Sequence, residues 1–89
     1  MKHRYLEVTF RKGKPLAAYL YLPHKNQSCS IRTEEKKNGI LVDYEEDGDP
    51  IGVEITAPAE VSLEELNSVL GELGVQPLEP QDIEPLRVA

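Results

Sequence analysis

Residues 43–54 read DYEEDGDPIGVE, and they decide how this chain folds. The stretch has the form D-x-E-x-D-G-x5-E, one residue away from the calcium-loop pattern D-x-[DN]-x-[DN]-G-x5-E. Its flanks, however, show apolar residues that alternate with polar ones, which is typical of half-buried strands. The alternating apolar positions on the two sides of the acidic segment 45–49 are Ile40, Val42, Tyr44, Ile51, Val53 and Ile55. The sequence therefore predicts a strand, a turn and a second strand.

The two apolar rows also predict a register, because directly opposed residues of an antiparallel pair share a face. The predicted pairs are Ile40 with Ile55, Val42 with Val53, and Tyr44 with Ile51. This register centres a two-residue type I′ turn on Asp47-Gly48, or a four-residue loop on 46–49, and excludes a three-residue loop. Asp43 and Asp47 would then lie about 13 Å apart, whereas calcium holds its oxygens at about 2.3–2.6 Å. Metal binding at 43–54 is thus an alternative that the predicted geometry disfavours.

The rest of the chain extends this pattern in both directions. Upstream, alternating rows over residues 6–10, 16–22 and 29–33 predict three more strands, separated by turns at Gly13 and Gly39 and by a polar loop. Downstream, Ser62 and Glu65 form a capping box, leucines recur at helical spacing over 63–73, and Gly74 ends the helix. We predict an α+β domain over residues 1–74, an antiparallel β-meander of about five strands with one C-terminal helix packed on the sheet. Residues 75–89 form a proline-punctuated tail that docks on the domain or awaits a partner.

Composition narrows the class of protein. The net charge of −6 conceals a split, since residues 1–40 carry nine Lys/Arg against three acids and residues 41–89 carry one Arg against thirteen acids. Such asymmetry suggests a partner or self-association. The single cysteine excludes an internal disulfide and a multi-cysteine zinc site. No apolar run approaches the roughly 20 residues of a membrane span, and no signal-peptide core is present, so we expect a cytoplasmic protein.

Three groups of residues are candidates for partner binding. The first is the basic hairpin tip, the second an acidic set on the sheet face opposite Val42, and the third the apolar residues of the tail. We expect Arg32 or Lys36 on the adjoining strand to offset the acids. The groups are Arg11, Lys12 and Lys14; Asp43, Glu45 and Glu54; and Leu78, Ile83 and Leu86.

The residue types of this chain do not indicate a catalytic site. No nucleophile, metal-ligand cluster or glycine-rich phosphate loop accompanies the paired carboxylates of Asp43 and Glu54, so we expect no enzymatic activity and no cofactor. His3 and His24 have no second ligand at a recognised spacing, and we expect both on the surface. Cys29 has no activating neighbours and is expected to be a small core or semi-exposed residue.

The stretch SIRTEEKKNGILVDYEEDGDPIGVEI, residues 30–55, resembles the core of a small bacterial family, the domain-of-unknown-function family numbered twenty-two eighty-three. Members read A-x-Y-I-x-L, then R-T-x-E, then G-V-x-V-D-Y-D-x-D-G-x-x-V-G-I-E-I. The matching positions here are 18–22, Arg32, Thr33, Glu35, 39–44, Asp47, Gly48 and 51–55. The resemblance covers about residues 5–74, and it departs at residues 11–15, where the family has an acidic D-x-x-x-D-A.

The resemblance implies no established activity. Some members are encoded beside toxin-like proteins, which implies an antitoxin-like or other protein-binding role. We therefore expect a non-enzymatic protein–protein interaction module, with another protein or a second copy as partner, and a homodimer through a sheet edge is one such arrangement. The alternative is nucleic-acid binding through the basic first hairpin, against which the acidic total charge weighs.

Overall fold

The computed structural model describes residues 4–23 and 30–87, and of Arg87 it describes the backbone alone. His3, His24 and Cys29 lie outside the described residues. The strands are β1 (Tyr5–Arg11), β2 (Lys14–Tyr21), β3 (Arg32–Lys37), β4 (Ile40–Tyr44) and β5 (Pro50–Ile55). The helix α1 (Leu63–Glu72) is preceded by a 3₁₀ helix (Pro58–Glu60) and followed by a second one (Pro80–Arg87).

The described strands form one antiparallel sheet in the order β1-β2-β5-β4-β3. The predicted α+β class, with a five-stranded antiparallel sheet and one main helix, is confirmed. Strand β5 lies between β2 and β4, so the β1–β2 hairpin joins the β3-β4-β5 meander through the pairing of β2 with β5. Strands β1 and β3 form the two edges of the sheet.

The β4–β5 register agrees with the prediction along most of its length. Ile40 is opposite Ile55 and Val42 is opposite Val53. Near the turn the prediction is wrong, because Tyr44 is opposite Pro50 and a bulge shifts the register by one residue. That bulge lets a three-residue loop coexist with the predicted apolar pairs.

Hydrogen bonds define this loop. The Glu45 N–H donates to the carbonyl of Asp49, and the Gly48 N–H donates to the carbonyl of Glu45, both at 2.9 Å. Gly48 has a φ of 90°, as the left-handed residue that follows a type I turn in three-residue hairpin loops does.

A type I′ turn does occur, but in the first hairpin. Lys12 and Gly13 have φ values of 53° and 79°, and they connect the paired residues Arg11 and Lys14. Both central residues of a type I′ turn need a positive φ, so Lys12 adopts a conformation that glycine or asparagine adopts more readily.

One face of the sheet carries the core. Alternate residues of the strands are buried there against α1, whose capping box between Ser62 and Glu65 is present as predicted. Leu16 was predicted in this apolar row, but a bulge in the β1–β2 pairing leaves it 50% exposed. The buried cluster contains Ala18, Leu20, Leu22, Ile40, Val42, Val53, Ile55, Leu66, Val69 and Leu70.

Residues 75–87 dock on the domain and complete this core. Leu78, Ile83 and Leu86 belong to the buried cluster. The Asn67 side chain accepts a hydrogen bond from the Leu78 N–H at 2.7 Å and donates one to the Leu78 carbonyl at 3.1 Å. The Arg4 guanidinium donates to the carbonyls of Gln76 and Pro77. The segment is therefore a structural part of the domain. Within the described ranges, no helix has the length and apolar character that crossing a membrane requires.

Candidate functional site: the open face of the sheet

The described helices lie on one face of the sheet, and the other face, which we call the open face, carries polar and aromatic side chains. The strand registers assign residues to it, since opposed residues share a face. All five strands contribute. Its residues, apart from the hairpin tip, are Tyr5, Glu7, Thr9, Ala17, Tyr19, Tyr21, Thr33, Glu35, Leu41, Asp43, Gly52 and Glu54.

At the centre of the open face, Tyr19 of β2 reaches across β5 to β4. Its phenol donates a hydrogen bond to Asp43 Oδ2 at 2.7 Å. The ring lies over Gly52, where a Cβ atom would be 1.9 Å from the Tyr19 hydroxyl oxygen. A glycine inside a strand often marks such a close approach, and here it is the condition for the contact between Tyr19 and Asp43.

Asp43 also binds the neighbouring edge strand. Its Oδ1 accepts a hydrogen bond from the Thr33 hydroxyl, so both carboxylate oxygens are engaged. Burial, followed by the hydrogen bond to Asp43 and the charges of Asp43 and Glu54, raises the pKa of Tyr19 above its ordinary value. Tyr19 is therefore a neutral donor throughout the physiological range.

Two more tyrosines continue this arrangement toward the β1 edge. Tyr21 packs edge-on against Tyr19 with ring centroids 4.7 Å apart, and Tyr5 stacks on Tyr21 with centroids 4.4 Å apart. The Tyr21 phenol donates to Glu7 Oε1 at 3.0 Å, and this bond raises the pKa of Tyr21. Aromatic pairs of this geometry are worth about 0.5–1.5 kcal/mol beyond their buried area, so the rings hold one another in place.

The open face is acidic. Its charged residues in the body of the sheet are Glu7, Glu35, Asp43 and Glu54, and the same alternation places Arg11 and Lys14 on this side at the tip of the first hairpin. Two basic side chains expected to offset them lie on the opposite face, because Arg32 is opposite Tyr44. Arg32 and Lys36 instead pair with Glu34 at 2.9 and 3.0 Å, and the Arg32 guanidinium lies 4.3 Å from the Tyr44 ring centroid. Over residues 4–23 and 30–87, no ion pair neutralises the acids of the open face.

The structure separates the three predicted acids. Asp43 and Glu54 lie on the open face as expected, and they are diagonal neighbours because Gly52 is opposite Asp43 and Leu41 is opposite Glu54. Glu45 does not lie there. The chain turns after Tyr44 and buries Glu45 to 4% exposure, and its Oε2 has no hydrogen-bond partner among the described residues.

The other predicted residues also fall into two groups. Arg11, Lys12 and Lys14 are exposed at the tip of the first hairpin, as expected. Leu78, Ile83 and Leu86 are 3–6% exposed, so they stabilise the protein's own core and are not available to a partner in the folded state. Deleting the tail would consequently report on folding and not on binding.

Metal binding at 43–54 gains no support from the arrangement. In the described part of the chain, no group of three or more His, Cys, Asp or Glu side chains is placed to hold a metal ion. Asp43 is engaged by Thr33 and Tyr19, and Asp47 lies in the exposed hairpin loop.

The four central residues of the open face, Tyr19, Thr33, Asp43 and Gly52, all belong to the motifs on which the family resemblance rests. Residues 17–57 match the family described as Protein of unknown function (DUF2283). The resemblance is thereby confirmed over residues 17–57, which hold β3, β4, β5 and most of β2. No curated protein and no solved structure gives a significant match to the chain.

The sequence pattern of residues 17–57 predicted Asp43 and Glu54 as site residues but not their neighbours Tyr19 and Thr33. Gly52 was the available signal, because an isolated glycine in a strand indicates a close approach of another group. The identity of that group, Tyr19, depends on the pairing of β2 with β5.

Proposed function

We propose that this protein is a non-enzymatic protein–protein interaction module whose open face is the binding surface. The observation that carries the proposal is an acidic, tyrosine-rich sheet face whose carboxylates have no basic partner among the described residues. Tyrosine is enriched at protein interfaces, since it supplies contact area and a polar group at a small cost in side-chain entropy. The rings of Tyr5, Tyr19 and Tyr21 are already ordered by their contacts with one another.

The chemistry of this face selects a basic partner. Glu7 and Glu54 can accept hydrogen bonds from Lys or Arg side chains, and such charge-assisted bonds are stronger than neutral ones. A guanidinium can also stack on an aromatic ring, and the ring of Tyr5 is 50% exposed. An antitoxin-like role is one form that binding of this kind can take.

The organisation of Asp43 supports binding over catalysis. Both of its oxygens are engaged by side chains of neighbouring strands, so the carboxylate is held as a fixed acceptor within a network. A general base must instead reach a proton of the substrate. Tyr19 is occupied in the same bond.

A matched pair of variants tests the proposal in capture experiments from native cells. In Glu7→Gln/Glu54→Gln, two charges are removed from the open face while the shape of the side chains is kept. In the control, Glu60→Gln/Glu72→Gln, two charges are removed from exposed positions of the helical layer. We expect proteins captured by the wild type and by the control to be lost with the face variant. Capture that is equal for all three proteins contradicts the proposal.

The first hairpin favours a second candidate, nucleic-acid binding. Its tip carries Arg11, Lys12 and Lys14, all exposed, and a two-stranded ribbon can enter the major groove of DNA. Binding to generic DNA or RNA should then weaken steeply as salt rises, because each phosphate contact releases a counterion. An absence of binding at low salt rules this candidate out.

A further inference from the structure

The β1–β2 hairpin extends beyond the end of β5, the strand with which β2 pairs. Strand β2 runs from Lys14 to Tyr21, but it pairs with β5 only over Ala18–Tyr21. Residues 9–17 therefore form a ribbon whose two strands hydrogen-bond only to each other within the sheet, and we call this ribbon the arm. Four residues of β2 correspond to an extension of about 13 Å.

The arm has the side chains of a contact surface. Residues 9–17 contain three bases and no acid. Phe10 and Leu16 are 48% and 50% exposed, although large apolar side chains are usually covered. Neither described ion pair involves the arm. An isolated two-stranded hairpin is only marginally stable in water, so the arm would be stabilised by a surface that covers it.

The open face is complementary to the arm in charge and in chemistry. It presents Glu7, Glu54 and other carboxylates beside a row of tyrosine rings. This suits Arg11 and Lys14, an opposed pair on one side of the arm, and Lys12 at its tip. The bases of the arm cannot contact the central acids of their own open face, because the arm continues two strands of the same sheet and extends away from its centre. The complementary face is therefore that of a second copy.

We propose that two copies of this chain associate by placing the arm of each one on the open face of the other. This inference rests on the proposed function of the open face and names the second copy as its occupant. In this arrangement the same arm-to-face contact is made twice, related by a two-fold axis. Both surfaces of each copy are then occupied, so assembly stops at a dimer. This dimer would differ from the homodimer expected through a sheet edge, because its contacts are made by the arm and the open face.

Charge-swapped variants test this arrangement. The arm variant is Lys12→Glu/Lys14→Glu, and the face variant is Glu7→Lys/Glu54→Lys. Each variant alone would place like charges against each other, but a mixture pairs an acidic arm with a basic face and a basic arm with an acidic face. The mass of each protein is measured by sedimentation velocity at low ionic strength, after circular dichroism has established that each variant is folded.

We expect a dimer for the wild type, monomers for each variant alone, and a dimer for the equimolar mixture. The control Glu60→Lys/Glu72→Lys makes the same charge change elsewhere and should dimerise. The wild-type dimer should weaken at least tenfold at about 1 M salt, where the screening length falls to about 3 Å. A wild type that is monomeric at all concentrations overturns the inference. A mixture that does not restore the dimer also overturns it.

Failure of this inference can be told apart from failure of the proposed function. If the wild type is monomeric while the open face still captures proteins that Glu7→Gln/Glu54→Gln loses, only the arm arrangement is wrong. If the wild type is monomeric and capture is the same for all variants, the proposed function is wrong as well as the arm arrangement. If a monomeric wild type binds nucleic acid and Lys12→Glu/Lys14→Glu does not, the arm belongs to the nucleic-acid candidate and the inference is overturned.

Discussion

The ring of Tyr19 lies directly over the backbone of Gly52, so closely that a Cβ atom there would be 1.9 Å from the phenol oxygen. The phenol then continues to Asp43, 2.7 Å away. A side chain of β2 thus crosses β5 and is held by β4. Glycine is required at position 52 by this contact, and the contact fixes the centre of the open face.

Replacing Gly52 with alanine should therefore have an effect whose sign depends on Tyr19. In the wild-type background, Gly52→Ala should lower the free energy of unfolding by roughly 1–3 kcal/mol, because the ring must leave its place and the bond to Asp43 is lost. In a Tyr19→Ala background, the same change should be neutral or stabilise by up to about 1 kcal/mol, since alanine is preferred over glycine in a strand. Urea denaturation measures both.

The control is Gly71→Ala, on an exposed part of α1 where an added Cβ meets no atom within 4 Å. It should stabilise the protein by about 1 kcal/mol. If Gly52→Ala destabilised both backgrounds equally, the contact with Tyr19 would not be the reason for the glycine.

The raised pKa of Tyr19 predicts a loss of stability in alkali. The unfolded chain loses the phenol proton near pH 10, whereas the folded protein keeps it to higher pH because of burial and the bond to Asp43. The stabilisation is complete below pH 10 and is lost as the pH rises beyond it. The wild type should lose stability more steeply than Tyr19→Phe between pH 9 and pH 11.

Urea denaturation across that pH range provides the measurement. Tyr5→Phe is the control, because it leaves the contact between Tyr19 and Asp43 in place, and its profile should follow that of the wild type. Parallel profiles for the wild type and Tyr19→Phe would refute the prediction.

Asn67 should control the docking of residues 75–87. Its side chain satisfies both the N–H and the carbonyl of Leu78, a residue 6% exposed. Asn67→Ala should cost about 1–3 kcal/mol, because buried backbone groups lose their partners. Asn67→Asp should cost less, since a carboxylate still accepts from the N–H.

Hydrogen exchange separates a local from a global effect here. Relative to the wild type, Asn67→Ala should speed up exchange more at the amides of residues 75–87 than at the amides of β4. Ser68→Ala, at an exposed neighbouring position, should leave the exchange unchanged. If exchange in both segments of Asn67→Ala were the same as in the wild type, the two hydrogen bonds between Asn67 and Leu78 would be dispensable for docking.

Replacing Lys12 should stabilise the protein, because Lys12 has a φ of 53°, which is unfavourable for a lysine. Lys12→Asn creates the Asn-Gly pair preferred in type I′ turns and should stabilise the protein by about 0.5–1 kcal/mol. For a domain of this size, that raises Tm by roughly 2–8 °C. Lys14→Asn removes the same charge from a strand and should not raise Tm; an equal rise would point to charge and not to the turn.

The local features of this protein were readable in the sequence. The apolar rows around residues 43–54 set the pairs Ile40–Ile55 and Val42–Val53, and Ser62 with Glu65 set the start of α1. These features rest on side-chain period and on contacts between residues close along the chain, and both are local. The sequence did not predict the bulge beside the three-residue loop. The loop is one residue shorter than the four-residue loop of the predicted register and the bulge adds one residue, so the apolar pairs farther from the turn are unchanged.

The functional surface depended on contacts between distant parts of the chain. Tyr19 and Asp43 are 24 residues apart and meet only because β5 lies between β2 and β4. The burial of Glu45 and of the tail residues likewise follows from how the chain turns and packs. The sequence by itself determined the strands, the helix and the central apolar pairs, because each follows from local periodicity. Only the tertiary structure decided which side chains share the open face, because that depends on strand order, which local periodicity does not contain.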